Sequence, residues 1–118
     1  RFRRRKQASH PRRLLQAQPG HLPALVQSAL LMAVGPDASL RDGVMALEFS
    51  QRAVKVSGGE DARAFYALAA SYGANGRARD GLQAARDGLA VAVRRGDSGA
   101  AEALRRLIAQ FEAGQQRR

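Results

Sequence analysis

Asp80 and Asp87 stand seven residues apart in a stretch of helical periodicity, a spacing that sets both carboxylates on one helix face. Two carboxylates held together could begin an acid–base pair. Arg77, Arg79 and Arg86 surround them, however, which favours solvated ion pairs worth at most roughly several tenths of a kcal/mol. His10 and His21 are the only histidines, eleven residues apart across Pro11 and Pro19-Gly20, with the nearest acids far off. Imidazoles so placed are expected in exposed loops, not on a metal or at a catalytic centre. The segment from Gly76 to Gly81 has two glycines, but no strand leads into it, so it does not read as a phosphate cradle. Gly76 reads as a turn and Gly81 as a packing position. There is no cysteine, hence no disulfide framework and no thiolate metal site. No set of acid, base and nucleophile converges. The chain is expected to be non-enzymatic and to need no cofactor.

The formal net charge of +10 is unevenly placed. Residues 1–13 hold seven basic groups (Arg1, Arg3, Arg4, Arg5, Lys6, Arg12 and Arg13) and no acid, and Arg117 and Arg118 add two. The other 103 residues carry eleven basic and ten acidic groups, so the body is almost neutral. A basic folded face would indicate nucleic acid; a basic arm is less specific. Three readings stay open for it. It is a solvated terminal charge run, or the cytoplasmic flank of a membrane span that precedes Arg1, where Lys/Arg excess sets orientation and attracts anionic lipid. Or it contacts nucleic-acid phosphates. Phe2 is the only aromatic in the arm, so a base-stacking platform has little support.

The elements that would position any binding residues are helical. A chain of 118 residues makes one domain at most. Long β-branched alternations are absent, so no sheet is expected, and no apolar run approaches the roughly 20 residues that span a bilayer. The chain starts with Arg rather than Met, so it is expected to be a fragment of a longer protein. The organising stretch is Ala62 to Val93. Phe65, Leu68, Ala69 and Tyr72 share one helical face. A turn at Asn75-Gly76 follows, and then Leu82, Ala85, Leu89, Ala92 and Val93 share a second face with Gly81 and Gly88 beside it. Upstream, Pro11 to Gln18 reads as the tail of a helix stopped by Pro19-Gly20, and Pro23 to Val34 as a helix apolar almost all round, hence buried. Gly35-Pro36-Asp37 ends it. Ser39 and Asp42 resemble a capping box for the next helix, which runs to about Ser57 with Val44, Ala46, Leu47, Ser50, Ala53 and Val54 inward. Gly58-Gly59 stops that helix, and Glu60 or Asp61 caps the organising hairpin. A last helix over about 99–113, started by Asp97 or Ser98, has the stripe Ala101, Leu104, Leu107, Ile108 and Phe111. The expected division is a basic arm over 1–13, helical repeats over 14–98, a capping helix over 99–114 and a tail over 115–118.

Phe65, Leu68-Ala69 and Tyr72, then Gly76, then Gly81, Ala85 and Gly88 match the roughly 34-residue signature of large, small and aromatic positions of the tetratricopeptide repeat, which the chain resembles. Gly replaces Ala at 81 and 88, and no Pro stands near Val93. The resemblance implies an all-α fold: antiparallel helical hairpins stacked as a short right-handed α-solenoid of about five helices. It also implies a protein–protein interaction scaffold whose first helices line a concave groove for a helical or extended peptide. Carried over by position, the groove residues are Val26, Leu30 and Ala33 in one repeat and Arg63, Tyr66, Ala70 and Gly73 in the next. Tyr66 is the expected anchor, since Tyr is enriched at hot spots. The Lys and Asn of the family's carboxylate clamp are replaced by Val26, Leu30, Tyr66 and Ala70, so an apolar peptide fits better. Pro36 through the second hairpin also resembles the C-terminal repeat region of large bacterial proteins, in some of which it follows a membrane-embedded part. That implies a cytoplasmic location, either free or as the soluble part of a membrane-anchored protein. Exposed stacking faces at the ends suggest self-association, and binding of nucleic acid or anionic membrane through the arm is the alternative function.

Overall fold

The computed structural model describes residues 11–116, apart from the side chains of Arg12 and Gln116. Within them lie six α-helices, one more than expected, and no strand. They are α1 (Pro11–Ala17), α2 (Leu22–Val34), α3 (Gly43–Val56), α4 (Ala62–Ala74), α5 (Ala78–Arg94) and α6 (Ser98–Gln116), with a 3-10 turn at Ala38–Leu40 between α2 and α3.

The helix starts follow from side-chain acceptors placed just before orphan backbone N–H groups. Asp61 accepts from the Arg63 N–H at 2.8 Å and caps α4. Asp97 accepts from the Ala100 N–H at 3.0 Å at the start of α6. Asp42 accepts from the Met45 N–H at 3.1 Å and caps α3. The expected capping box is therefore not what starts α3. Ser39 lies in the 3-10 turn, where both its N–H and its hydroxyl donate to Asp37 Oδ1, at 3.0 and 2.6 Å. Those two bonds hold the Asp37 carboxyl below its ordinary range. The loop folds back on α2, because Asp42 N–H donates to Met32 O and Arg41 Nε to Gly35 O. At the other end, Gln115 and Gln116 belong to α6 instead of a tail.

Each helix packs on its neighbours in sequence. In addition α2 packs on α4 and α4 on α6, whereas α3 and α5 make no comparable contact with each other. The even-numbered helices therefore touch in series, and α4 is the centre. It is buried almost all round, with Ala62, Ala64, Ala67, Leu68, Ala69, Ala70 and Ser71 inside. The core is built from alanines, so helix axes can approach closely, and few large side chains fill it. Leu25 and Leu104 are the largest apolar ones fully enclosed, each worth about 1.5–3 kcal/mol.

Two expected inward residues point out. Val44 is 73% exposed and Val93 57% exposed. At 100° per residue Val44 lies about 160° around α3 from Ala46, opposite the buried row Ala46, Ser50, Ala53. On α5 the buried arc runs from Leu82 and Ala85 through Gly81 and Gly88 to Ala84 and Val91, which leaves Val93 at its edge. Gly81 and Gly88 thus form the middle of that face. A Cβ at Gly88 would come within 2.6 Å of Phe65 Cβ, and one at Gly81 within 2.6 Å of Phe111 Cζ. The turn at Asn75-Gly76 forms as expected, with Gly76 at φ +72°. Asn75 Nδ2 donates to Ser71 O at 2.7 Å and to Gly43 O at 2.8 Å, tying the end of α4 to the start of α3.

Candidate functional site

The serial contact of α2, α4 and α6 leaves two hollows along α4. The first, about 360 Å³, is lined by Val26 and Leu30 of α2, Ala62, Arg63 and Tyr66 of α4, and Gly99, Ala100, Ala103 and Leu104 of α6, with Asp97 at its edge. The second, about 520 Å³, is lined by Val34 of α2, Tyr66, Ala70, Gly73 and Ala74 of α4, and Leu107, Gln110 and Phe111 of α6. Tyr66 is partly buried and belongs to both, so its ring forms the wall between them. Both hollows are mainly apolar and fall in the size range of ligand sites.

Of the seven groove residues expected from sequence, Val26, Leu30, Arg63 and Tyr66 line the first hollow and Tyr66, Ala70 and Gly73 the second. Ala33 lines neither. It is buried with Met32, Ala46 and Ala70 beneath the surface. The row that reaches the hollows is Val26, Leu30 and Val34, at intervals of four, which drifts around the helix away from Ala33. The basic groups Arg1, Arg3, Arg4, Arg5 and Lys6 lie outside the described residues, as does the side chain of Arg12, and Arg13 is exposed on α1.

Among the described residues the chemistry-bearing side chains do not converge. Asp80 is held by Arg77 through both Nε and Nη2 at 2.8 Å, and the same guanidinium stands 4.8 Å from the centre of the Tyr72 ring. Asp87 accepts from Gln83 Nε2 at 2.9 Å, while Arg86 reaches Glu112 of α6. His21 is not a free loop residue: its Nδ1 accepts from the Ala24 N–H at 3.2 Å and caps α2. Among the described residues no three His, Cys, Asp or Glu side chains gather as metal ligands, and no helix is long and apolar enough to cross a membrane.

Beside the first hollow lies a polar one of about 570 Å³, lined by Ser57, Glu60, Asp61, Arg63, Arg95 and Asp97 among others. Glu60 bonds Arg94 at 2.8 Å and Arg95 at 3.4 Å, joining the α3–α4 loop to the end of α5. The hydrogen bond from Arg94 and its charge, assisted by Arg95, hold the Glu60 carboxyl below its ordinary value.

Comparison with known proteins brings no relative to this geometry. No family model, curated protein or solved structure matches the chain.

The wall contributed by α6 is what sequence reasoning missed. Leu104, Leu107 and Phe111 read as a stripe burying an end helix, yet Ala100, Ala103, Leu107 and Gln110 form a second row that faces α4. The signal was the breadth of apolar residues on α6, two adjacent rows where an end helix needs one.

Proposed function

We propose that this chain is a non-enzymatic protein-interaction module of tetratricopeptide-like hairpins that holds an apolar helical or extended peptide between α2, α4 and α6. The carrying observation is Tyr66, partly buried on the central helix and shared by two apolar hollows. An aromatic ring between two clefts can stack on one bound side chain while its neighbours fill the clefts, the anchoring use in which Tyr is enriched. The serial contact of α2, α4 and α6 supports the repeat reading, because stacked hairpins place every second helix side by side. The sequence resemblance supports a place in the repeat region of a larger bacterial protein, and the basic start is in keeping with a cytoplasmic position beside a membrane-anchored part.

The test is titration of Tyr66→Ala against peptides selected on the wild-type chain, with circular dichroism to confirm the fold. The variant is expected to lose about 2 kcal/mol of affinity or more, the range of an interface hot spot. Unchanged affinity would remove the site.

A further inference from the structure

We infer that the peptide held in this groove is acidic at one end: it carries a carboxylate side chain beside the apolar residue that enters the first hollow, and none beside the one that enters the second. The inference rests on the reading of the groove as a peptide site and specifies its ligand.

The two hollows differ in charge. Among the described residues, the second has no charged side chain in its lining. The first has Arg63 and Asp97 at its edge, with Asp61 and Glu60 close by in the adjoining polar hollow. Three of these four charges are already engaged. Asp61 and Asp97 each accept a backbone N–H at the start of a helix, where the helix dipole also balances a negative charge. Glu60 is bound by Arg94 and Arg95. Arg63 is exposed and has no ion-pair or side-chain hydrogen-bond partner among the described residues. Arg63 thus brings an exposed guanidinium with no side-chain partner among them to the lining of an apolar cleft, and a guanidinium matches a carboxylate with two parallel bonds.

The spacing of the hollows adds a second requirement. On α4 the first is bounded by residues 62, 63 and 66 and the second by 66, 70, 73 and 74. Their middles are about seven residues apart, roughly 10 Å along the helix. A bound helix meets that span with large apolar residues at i and i+7, and an extended polyproline-II segment, with three residues per turn, meets it with residues three apart.

Selection from a displayed library of random dodecapeptides tests this, run in parallel on the wild-type chain, Arg63→Glu and Tyr66→Ala. Glu is well placed in the first turn of α4, so Arg63→Glu keeps the fold. Wild type is expected to enrich paired large apolar residues at one of the two spacings, with Asp or Glu beside one of them. Synthetic versions with that acid changed to Lys should bind at least tenfold more weakly. Arg63→Glu should reverse the preference, and Tyr66→Ala should enrich neither class. Apolar pairs without an acid, or the same acid preference on Arg63→Glu, overturn the inference and leave the groove standing. No enrichment on wild type, or equal enrichment on Tyr66→Ala, overturns the groove and the inference with it.

Discussion

Gly88→Ala isolates the close approach on which the central hairpin depends. Gly88 lies within α5, between α4 and α6. A Cβ there would stand 2.6 Å from Phe65 Cβ and 3.2 and 3.3 Å from the two methyl carbons of Leu104. Carbon contacts settle near 3.5–4.0 Å, so the first would have to open by roughly 1 Å. Phe65 Cβ is fixed to the α4 backbone and no rotamer change moves it away. The two helices must therefore separate. Over-packing of this kind costs about 1–3 kcal/mol, against a gain of about 1 kcal/mol in helix propensity on replacing Gly. Contact with a side-chain stem places the cost high in its range, for a net loss of about 1–2 kcal/mol. Three other glycines calibrate the reasoning. Gly114 has nothing within 4 Å, so its Ala variant should be up to about 1 kcal/mol more stable. Gly73 would meet only the Phe111 ring, at 3.3 Å, and should be near neutral. Gly81 would meet Phe111 Cζ at 2.6 Å, which can swing, and Ala69 O at 3.1 Å, which cannot. Urea unfolding followed by far-ultraviolet circular dichroism should order the four Ala variants Gly114, Gly73, Gly81, Gly88, from most to least stable. A Gly88→Ala chain as stable as wild type would refute the packing of α4 against α5.

Asn75→Ala removes two side-chain hydrogen bonds, one of them the tie between the end of α4 and the start of α3, so thermal unfolding should show a loss of about 1–3 kcal/mol. Ser28→Ala should be neutral or stabilising in the same assay, because the Ser28 hydroxyl is buried and has no hydrogen-bond partner among the described residues. Glu60 titrates lower in the folded chain than in the unfolded one, so its stabilisation is present above its ordinary carboxylate range and lost as pH falls through that range and below. Glu60→Gln should flatten that part of the stability–pH curve, and added salt should weaken the wild-type effect. Removal of residues 1–10 should not change peptide affinity; a partner lost on this truncation, with a steep salt dependence, belongs to the basic arm instead.

Helix existence was legible throughout, and so were most stops, because both depend on local chemistry. Gly58-Gly59 and Asn75-Gly76 end helices with glycines at positive φ, and Asp61 and Asp97 stand where acceptors were expected. The Ser39 reading failed for an equally local reason. Asp37 two residues upstream offered a carboxylate, and Ser39 turned to it, which left Asp42 to cap α3 by itself. Val44 and Val93 were misplaced because an apolar residue was counted as inward for its type rather than for its angle. Each lies outside the row of small residues that truly meets a neighbour.

The site was half legible, and the missing half has one cause. A sequence states which faces of a helix are apolar; it does not state which neighbour each face meets. On α4 the two questions had one answer, because the helix is buried almost all round and Tyr66 is among the few of its residues left partly uncovered. On α6 they separated. Leu104 goes down against α5, where Gly88 leaves room for its methyl groups, and the ring of Phe111 fills the space left by Gly81 and Gly73. With those two seated, rotation of α6 is set, and Ala100, Ala103 and Leu107 have to face α4 across the hollows. The glycines of the second hairpin thus shape the groove from behind, by admitting the side chains that orient its far wall. Enlarging Gly81 should therefore disturb peptide binding as well as stability, although it lines neither hollow.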